Sequence, residues 1–239
     1  MDRCYACTIT FSRADYSYTG ATVARIDINV PFHEKDEAKR LGARWDATRK
    51  TWYIPDGMPT SDFTRWLPSG NVLSPYWFIA QTPDRCWKCG RETVMTSFLL
   101  PAGHKTLEQD EEGQLYWQMQ EFPAFIFYVD DIPEQNLKKL EQIRHYLAKD
   151  YSKTVNARYW MNHCQHCHMK QGDFQLHCEV DSVFSPDSRE AASRIVLYRI
   201  EQEFSASCSG TSLSHLHFRC GAEESFATAG EWLPFMKII

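Results

Sequence analysis

Residues 25–55 read RIDINVPFHEKDEAKRLGARWDATRKTWYIP, and this stretch decides the fold of the N-terminal part of the chain. Its first six residues alternate polar and apolar side chains, which predicts a half-buried strand that Pro31 closes. The segment EKDEAKRLG, which starts at Glu34, predicts a short helix. Acids lie in its first turn, bases lie in its last turn, and Gly42 is placed to cap it.

The next residues continue the same alternation of elements. A second strand is predicted at 51–54, where a Pro-Asp-Gly turn ends it, and a second helix from Ser61 through Trp66. Residues 25–67 are therefore expected to form a small β-α-β-α unit. The turn-rich segment 67–71, LPSGN, predicts a boundary after it.

The composition of the 239 residues is that of a globular protein, with 43% hydrophobic, 14% aromatic and 24% charged residues. The net charge of −5 provides no global positive field, so any binding of nucleic acid must come from a local patch. The acidity lies in the C-terminal part, where 16 basic residues face 22 acidic ones after residue 75. No apolar run is long enough for a signal peptide or a membrane span, which predicts a cytoplasmic protein with no membrane partner.

Farther along the chain, residues 93–100 and 122–129 are expected to be strands, and residues 134–147 a helix with leucines and an isoleucine on one face. Residues 192–204 are apolar and partly alternating, as in strands. The fold class that follows is α+β. We expect an N-terminal segment at 1–24, a small domain at 25–68 and a larger mixed α+β domain at 72–239.

Four blocks of the N-terminal stretch carry a family resemblance: the VP opening, the EKDEAK helix, the LGARWD turn and the KTWYIP strand. With them, residues 30–68 resemble a small domain of unknown function that recurs beside primase and topoisomerase-primase modules in bacterial plasmid and integrative-element proteins. That family has no established catalytic residue. The resemblance implies a role in handling nucleic acid, by association with its neighbours.

The same stretch interleaves bases with rings, which is the composition of a surface that binds phosphates and stacks on bases. The candidate contacts are Lys35, Lys39, Arg40, Arg44, Trp45, Arg49, Lys50 and Trp52. The alternative is that the two tryptophans belong to the core and that the bases pair with nearby acids.

Two CxxC pairs carry the second chemical signal, since two-residue spacing lets one turn point both sulfurs at a single ion. They are Cys86 with Cys89 and Cys164 with Cys167, and they predict one structural Zn²⁺ site, the alternative being reduced core thiols. The 74 residues between the pairs imply that the metal joins distant parts of the chain. A closed four-cysteine site leaves no position for a reactive water, which argues against hydrolysis at that ion.

The block YWMNHCQHCHMKQGDF at 159–174 resembles the second knuckle of bacterial zinc-ribbon-like proteins. In those proteins an aromatic-Asn-x-Cys-x-x-Cys turn precedes Gln-Gly-Asp-aromatic. The resemblance implies a zinc-ribbon-like domain with two separated knuckles. We expect its three histidines to be polar neighbours of the knuckle rather than metal ligands. They are His163, His166 and His168.

A second metal ion is an alternative that stays open. Its candidate ligands are Cys4, Cys7, His215, His217 and Cys220. His215 and His217 also fit one face of a strand, and no spacing connects them to the N-terminal pair. Cys178 and Cys208 are expected to be buried or free thiols.

The YVDD sequence at 128–131 resembles the metal-binding hairpin of reverse transcriptases, but the chain continues directly into the predicted helix at residue 134. We therefore expect a strand-to-helix turn there. Nucleotide-binding, serine-hydrolase, zinc-protease and zinc-deaminase motifs are absent from the sequence.

Three functions remain. The leading hypothesis is a non-enzymatic, zinc-stabilised accessory protein of a bacterial mobile element that contacts nucleic acid. The second is a protein-interaction module or inhibitor that acts on a replication or defence complex. The third is a nuclease, for which Asp130, Asp131 and Asp173 are the candidate carboxylates. The sequence does not specify the oligomeric state.

Overall fold

The computed structural model describes residues 25–141, 146–179, 182–212 and 232–239. These residues form strands and short helices in an α+β arrangement, as the sequence predicted. They build one nine-stranded sheet and two three-stranded sheets. No helix in these ranges has the length and apolar character that crossing a membrane requires.

The N-terminal unit consists of three short strands and three helical segments. In chain order they are β1 (Ile26–Ile28), a 3-10 helix (Phe32–Glu34), α1 (Lys35–Arg40), β2 (Arg44–Asp46), β3 (Thr51–Ile54) and a 3-10 helix (Ser61–Trp66). The strands pair antiparallel in the order β1-β3-β2. Strand β2 lies where the sequence predicted only a turn, and the second predicted helix is a 3-10 helix.

The core of this unit lies on one face of its sheet. Ile26, Ile28 and Ile54 are on that face and are almost fully buried, and Phe63 and Trp66 of the 3-10 helix cover them. The Trp66 indole also donates a 2.6 Å hydrogen bond to the Glu34 carboxylate, which satisfies its one polar group. The unit therefore has an apolar core built mostly from residues close in sequence.

The remaining elements form the larger part of the fold. The strands are β4 (Val72–Ser74), β5 (Trp77–Arg85), β6 (Glu92–Leu100), β7 (Lys105–Gln109), β8 (Leu115–Met119), β9 (Ala124–Asp131), β10 (Leu147–Ser152), β11 (Ala157–His163), β12 (Lys170–Gln171), β13 (Val196–Ile200), β14 (Phe204–Thr211) and β15 (Lys237–Ile238). The helices are α2 (Glu134–Leu140), α3 (Asp173–His177) and α4 (Arg189–Ser193), and a last 3-10 helix spans Leu233–Phe235.

The large sheet has the order β15-β13-β5-β6-β9-β14-β4-β7-β8, with β13 and β15 parallel and the other pairs antiparallel. Alternation along its central strands gives it two buried faces: Trp77 points into one core and Phe78 into the other. Helix α2 and the β10-β11-β12 sheet cover the first face. Helices α3 and α4 and the C-terminal residues cover the second.

Two predicted elements differ from the structure. The helix expected over 134–147 ends at Leu140, and Leu147 instead begins β10. Both leucines are buried in the same core, so their seven-residue spacing imitates one helix face. The segment 192–204 holds the end of α4 and all of β13 rather than one extended stretch.

The N-terminal unit packs against the β7–β8 hairpin. Trp117 of β8 is buried in the same core cluster as Ile26 and Phe63. Gln114 also accepts a hydrogen bond from the Thr60 backbone N–H and donates one to the Met58 carbonyl. The division into domains at 25–68 and 72–239 stays a prediction, since the two segments share these apolar contacts.

Candidate metal centre and candidate nucleic-acid interface

The two CxxC pairs lie at the turns of two separate hairpins. Cys86 and Cys89 occupy the turn between β5 and β6, and Cys164 and Cys167 occupy the turn between β11 and β12. The fold brings these turns together, although 74 residues separate the pairs in the sequence. The predicted pairing of the knuckles is therefore seen in the structure.

The four sulfur atoms form a compact group whose members all lie within 4.8 Å of one another. The Sγ atoms of Cys86 and Cys167 are 3.6 Å apart, and those of Cys89 and Cys164 are 3.7 Å apart. Four thiolates at about 2.3 Å from one tetrahedral ion would lie about 3.8 Å from each other. The donors present thus fit a tetrahedral metal ion, and among the described residues this is the only such group of potential ligands.

Both knuckles have the same backbone geometry. In the first, the Cys86 N–H donates to the Arg91 carbonyl at 2.9 Å, and the Gly90 N–H donates to the Cys86 carbonyl at 2.8 Å. In the second, Cys164 donates to the Met169 carbonyl and accepts from the His168 N–H, both at 2.9 Å. His168 takes the position of Gly90, and both have positive φ, 58° and 69°. Each turn thus points its two sulfurs to the same side.

The thiols differ in how readily they ionise. Burial opposes ionisation of Cys86, but N–H groups of Cys89 and Lys88 and the sulfurs of Cys167 and Cys164 together lower the pKa of the Cys86 thiol to about 6. The Met169 N–H favours ionisation of Cys167, but burial and the three neighbouring sulfurs together raise the pKa of that thiol to about 12. Four thiolates in this space require a bound cation, because their charges repel one another.

Several residues outside the predicted ligand set join the two hairpins. Asn162 is buried, accepts a 2.8 Å hydrogen bond from the Thr96 N–H and donates a 2.9 Å bond to the Thr96 carbonyl. Across the same junction, the Trp87 indole donates to the Lys170 carbonyl at 2.7 Å. Gln171 donates to the Cys86 sulfur at 3.3 Å. In the sequence, this junction is indicated only by the Asn and the Gln of the block at 159–174.

Asp173 of the same block lies at the start of α3 and is 5% exposed. Its carboxylate accepts a 2.7 Å hydrogen bond from the Tyr128 backbone N–H. Burial raises the pKa of Asp173 to about 7. Next to it in α3, burial lowers the pKa of His177 to about 3, and the His177 ring is stacked between Phe127 and Phe184. These groups are part of the core rather than of an open site.

The three histidines of the second knuckle have other partners than the sulfur group. His163 contacts the Asp150 carboxylate at 3.2 Å, and His166 contacts the Glu92 carbonyl at 2.8 Å. The ring of His168 lies against Tyr146. Of the other cysteines, Cys208 is buried and Cys178 is half-buried.

The candidate second metal site lies outside the described residues. Its five candidate ligands are Cys4, Cys7, His215, His217 and Cys220. The candidate nuclease carboxylates lie within the described residues. Asp130 and Asp131 are exposed at the end of β9, whereas Asp173 is buried. Within the described ranges they do not form a group of metal-binding size.

The candidate nucleic-acid contacts divide into paired and unpaired bases. Arg49 lies 3.1 Å from Asp27, Arg40 lies 3.9 Å from Glu37, and the Lys35 ammonium lies 4.0 Å from the centre of the Phe32 ring. The exposed bases without an ion pair to any described residue are Lys39, Arg44 and Lys50. Part of the predicted set is therefore free to meet phosphates.

The aromatic candidates also differ from each other. Trp45 and Trp52 are directly opposite on β2 and β3, with ring centres 5.7 Å apart. Trp52 packs against the core of the N-terminal unit, whereas Trp45 at the sheet edge is 52% exposed. Phe32 lies outside the predicted set of contacts and is 80% exposed.

The opposite face of this sheet holds an ion network around Arg25. The guanidinium donates to Asp27 at 2.7 Å and to Asp46 at 2.6 Å, and it covers the Tyr53 ring at 4.1 Å. The pKa of Asp46 is lowered because the Arg49 backbone N–H and the Arg25 side chain both donate to its carboxylate. This network stabilises the strand arrangement and places Arg49 beside Asp27.

Comparisons with known proteins concern the N-terminal unit. Residues 25–68 match the model of a domain of unknown function (DUF5710). Two Escherichia coli proteins, each a DNA primase TraC, are 50% identical over 46 residues and 56% identical over 39 residues. The matches cover 19% and 16% of this chain but only 4% and 3% of the primases. No solved structure matches the chain. Residues 25–68 are thus similar to a domain of unknown function and to a short part of DNA primases.

Proposed function

We propose that this protein is a zinc-stabilised, non-enzymatic accessory factor of a bacterial mobile element and that it binds nucleic acid through its N-terminal unit. The observation that carries the proposal is the exposed set of Lys39, Arg44 and Lys50, without ion pairs to described residues, in a segment similar to DNA primases. Free cations meet phosphates, and the half-exposed ring of Trp45 can stack on an unpaired base.

Zinc is the proposed occupant of the four-cysteine group. Four thiolates in a tetrahedral arrangement suit Zn²⁺ better than magnesium or calcium, which prefer oxygen donors. The ion would be structural, because four protein ligands fill its coordination shell. Its role would be to fix the β5–β6 hairpin to the β11–β12 hairpin.

The metal proposal is tested by loading the apoprotein with Co²⁺. Tetrahedral thiolate coordination predicts an intense sulfur-to-cobalt charge-transfer band that saturates at one ion per chain and disappears when Zn²⁺ is added. Saturation without that band would contradict the proposed ligand set.

The nucleic-acid proposal is tested with the full, metal-loaded chain and a fluorescent single-stranded DNA oligonucleotide at two salt concentrations. We expect micromolar or tighter binding that weakens with salt, and a further loss of at least about tenfold in the variant Lys39→Ala/Arg44→Ala/Lys50→Ala. Absence of binding at low salt would contradict the proposal and would direct the search to a protein partner. RNA and duplex DNA probes in the same assay establish the preferred nucleic acid.

A further inference from the structure

The β10–β11 hairpin projects from the candidate metal centre. Its base continues directly into the second knuckle, since Cys164 follows the last residue of β11. Near this base, Leu147 and Asn162 are buried, whereas Lys149, Tyr151 and Arg158 farther out are exposed. The outer half of this antiparallel pair is therefore a surface ribbon anchored at a fixed point.

One face of the ribbon carries both bases and rings. Tyr151 pairs directly with Arg158, and Lys149 pairs directly with Trp160, one step nearer the base. Residues that are directly opposite, or two apart along a strand, project to the same face. Lys149, Tyr151 and Arg158 thus form one exposed stripe, which we call the ribbon face, and Trp160 on the same side packs against the core. Lys153 is exposed in the turn beyond it.

The charges of the ribbon face are not neutralised within the described structure. No described carboxylate lies within 4.0 Å of the basic groups of Lys149, Lys153 or Arg158. The one acid of the hairpin strands, Asp150, is on the opposite face, where Lys170 and His163 contact it at 3.0 and 3.2 Å. A local positive surface therefore stands out from the acidic part of the chain that follows residue 75.

The hairpin is also held in shape. The Lys170 ammonium donates a 2.7 Å hydrogen bond to the Tyr151 carbonyl, which connects the strand to the second knuckle. At the tip, the Tyr151 hydroxyl donates a 2.5 Å bond to the Asn156 side chain. A ring and two cations held in register lose less conformational entropy on binding than the same groups on a free loop.

We propose that the ribbon face is a second binding surface for single-stranded nucleic acid, separate from the N-terminal unit. Lys149, Lys153 and Arg158 would contact successive phosphates, and the Tyr151 ring would stack on a base. The proposal rests on the proposed function only for the class of ligand, because different residues carry it. Two surfaces on one chain would raise the overall affinity for a strand long enough to reach both.

The test uses the full, metal-loaded chain with Lys149→Ala/Arg158→Ala and a control of equal charge change, Lys139→Ala/Lys237→Ala. The control residues are exposed and have no ion pair to described residues. We expect the ribbon variant to bind a fluorescent single-stranded oligonucleotide at least fivefold more weakly than the control at low salt. The slope of log affinity against log salt should fall by about 1.4.

A second pair of variants tests the ring. Tyr151→Ala should weaken binding, whereas Tyr151→Phe should retain it, because the ring is kept and only the hydroxyl is lost. The cobalt spectrum serves as the check that each variant keeps the four-cysteine centre. Equal weakening by Ala and Phe would contradict a stacking role.

The outcomes separate this inference from the proposed function. If the ribbon variant binds like its control while the N-terminal triple variant loses binding, the ribbon face is not a binding surface and the proposed function stands. If only the ribbon variant loses binding, the inference stands and the proposed role of the N-terminal unit fails. If the unmodified chain does not bind at low salt, both fail.

Discussion

The N-terminal unit and the cysteine hairpins are stabilised in different ways. The N-terminal unit packs its apolar core mostly from neighbouring segments, with Phe63 and Trp66 over a three-stranded sheet and Trp117 of β8 as the distant member. The two cysteine hairpins meet through four sulfurs, an asparagine and an indole, from segments far apart in sequence. A core of near neighbours forms without a ligand, whereas clustered thiols need a cation.

The two regions also differ in what indicates their roles: similarity to other proteins for the N-terminal unit, and donor atoms for the cysteine centre. The N-terminal unit is similar to part of known primases, yet its described residues present bases and rings rather than a metal-binding group. The cysteine centre lies outside the matched residues, and its chemistry follows from its donor atoms. We therefore expect damage to the metal centre to affect folding of the larger part, and damage to the N-terminal unit to leave metal binding intact.

The largest effect is expected for Cys164→Ser, which removes a buried sulfur of the candidate metal centre. Metal binding at the centre should weaken by orders of magnitude, and the free energy of unfolding should fall by more than about 4 kcal/mol. Cobalt absorption and thermal unfolding measure the two effects. Cys178→Ser is the control, since Cys178 lies outside the sulfur group, and equal losses in both variants would contradict the assignment of the centre.

A large effect without loss of metal is expected for Phe63→Ala. Phe63 is fully buried in the core of the N-terminal unit, so the cavity should cost about 3 to 5 kcal/mol in that unit. The cobalt spectrum should stay unchanged. A change in the thiolate band would show that the two regions are coupled more strongly than their contrast implies.

An intermediate effect is expected for Asn162→Ala. The substitution leaves the Thr96 backbone N–H and carbonyl without their buried partner, which should cost about 1 to 3 kcal/mol. Denaturant unfolding measures it, with the exposed Asn29→Ala as the control. We expect Cys86 and Cys164 still to share one ion, so a lost cobalt band would mean that Asn162 is required for the centre to assemble.

The smallest effect is a change in pH dependence in Asp173→Asn. The folded pKa of Asp173, about 7, lies above its ordinary value, so the folded state binds a proton that the unfolded state has released. This contribution to stability is present at low pH and is lost as pH rises toward 7. The free energy of unfolding of the Asp173→Asn variant should therefore rise relative to that of the unmodified chain as pH rises from 5 to 8.

The contribution of His177 to the pH dependence of stability has the opposite sign. Because burial lowers its pKa, the folded state becomes more stable as pH rises from about 3 to the ordinary pKa of histidine. Both proteins contain His177, so the comparison isolates Asp173. The exposed Asp131→Asn is the control. A difference that does not change with pH would contradict the raised pKa of the buried carboxyl.

The sequence predicted elements well where one local pattern determined them. Strand 51–54 has the predicted bounds, and the proximity of Cys86 and Cys164 followed from the spacing of their pairs. The prediction of a single helix over 134–147 was wrong because Leu140 and Leu147 belong to two elements but keep the apolar spacing of one helix face. The contact of Asn162 with Thr96 is a contact between hairpins, and no local spacing contains it.

The central claim is that cations of the N-terminal unit bind the phosphates of a nucleic acid. Its most direct test is the salt dependence of single-stranded DNA binding, measured for the metal-loaded chain and for Lys39→Ala/Arg44→Ala/Lys50→Ala. We predict that log affinity falls linearly with log salt and that the three substitutions lower the slope by about 2, since each lost phosphate contact removes about 0.7. An unchanged slope in the triple variant, or no binding at low salt, would contradict the claim.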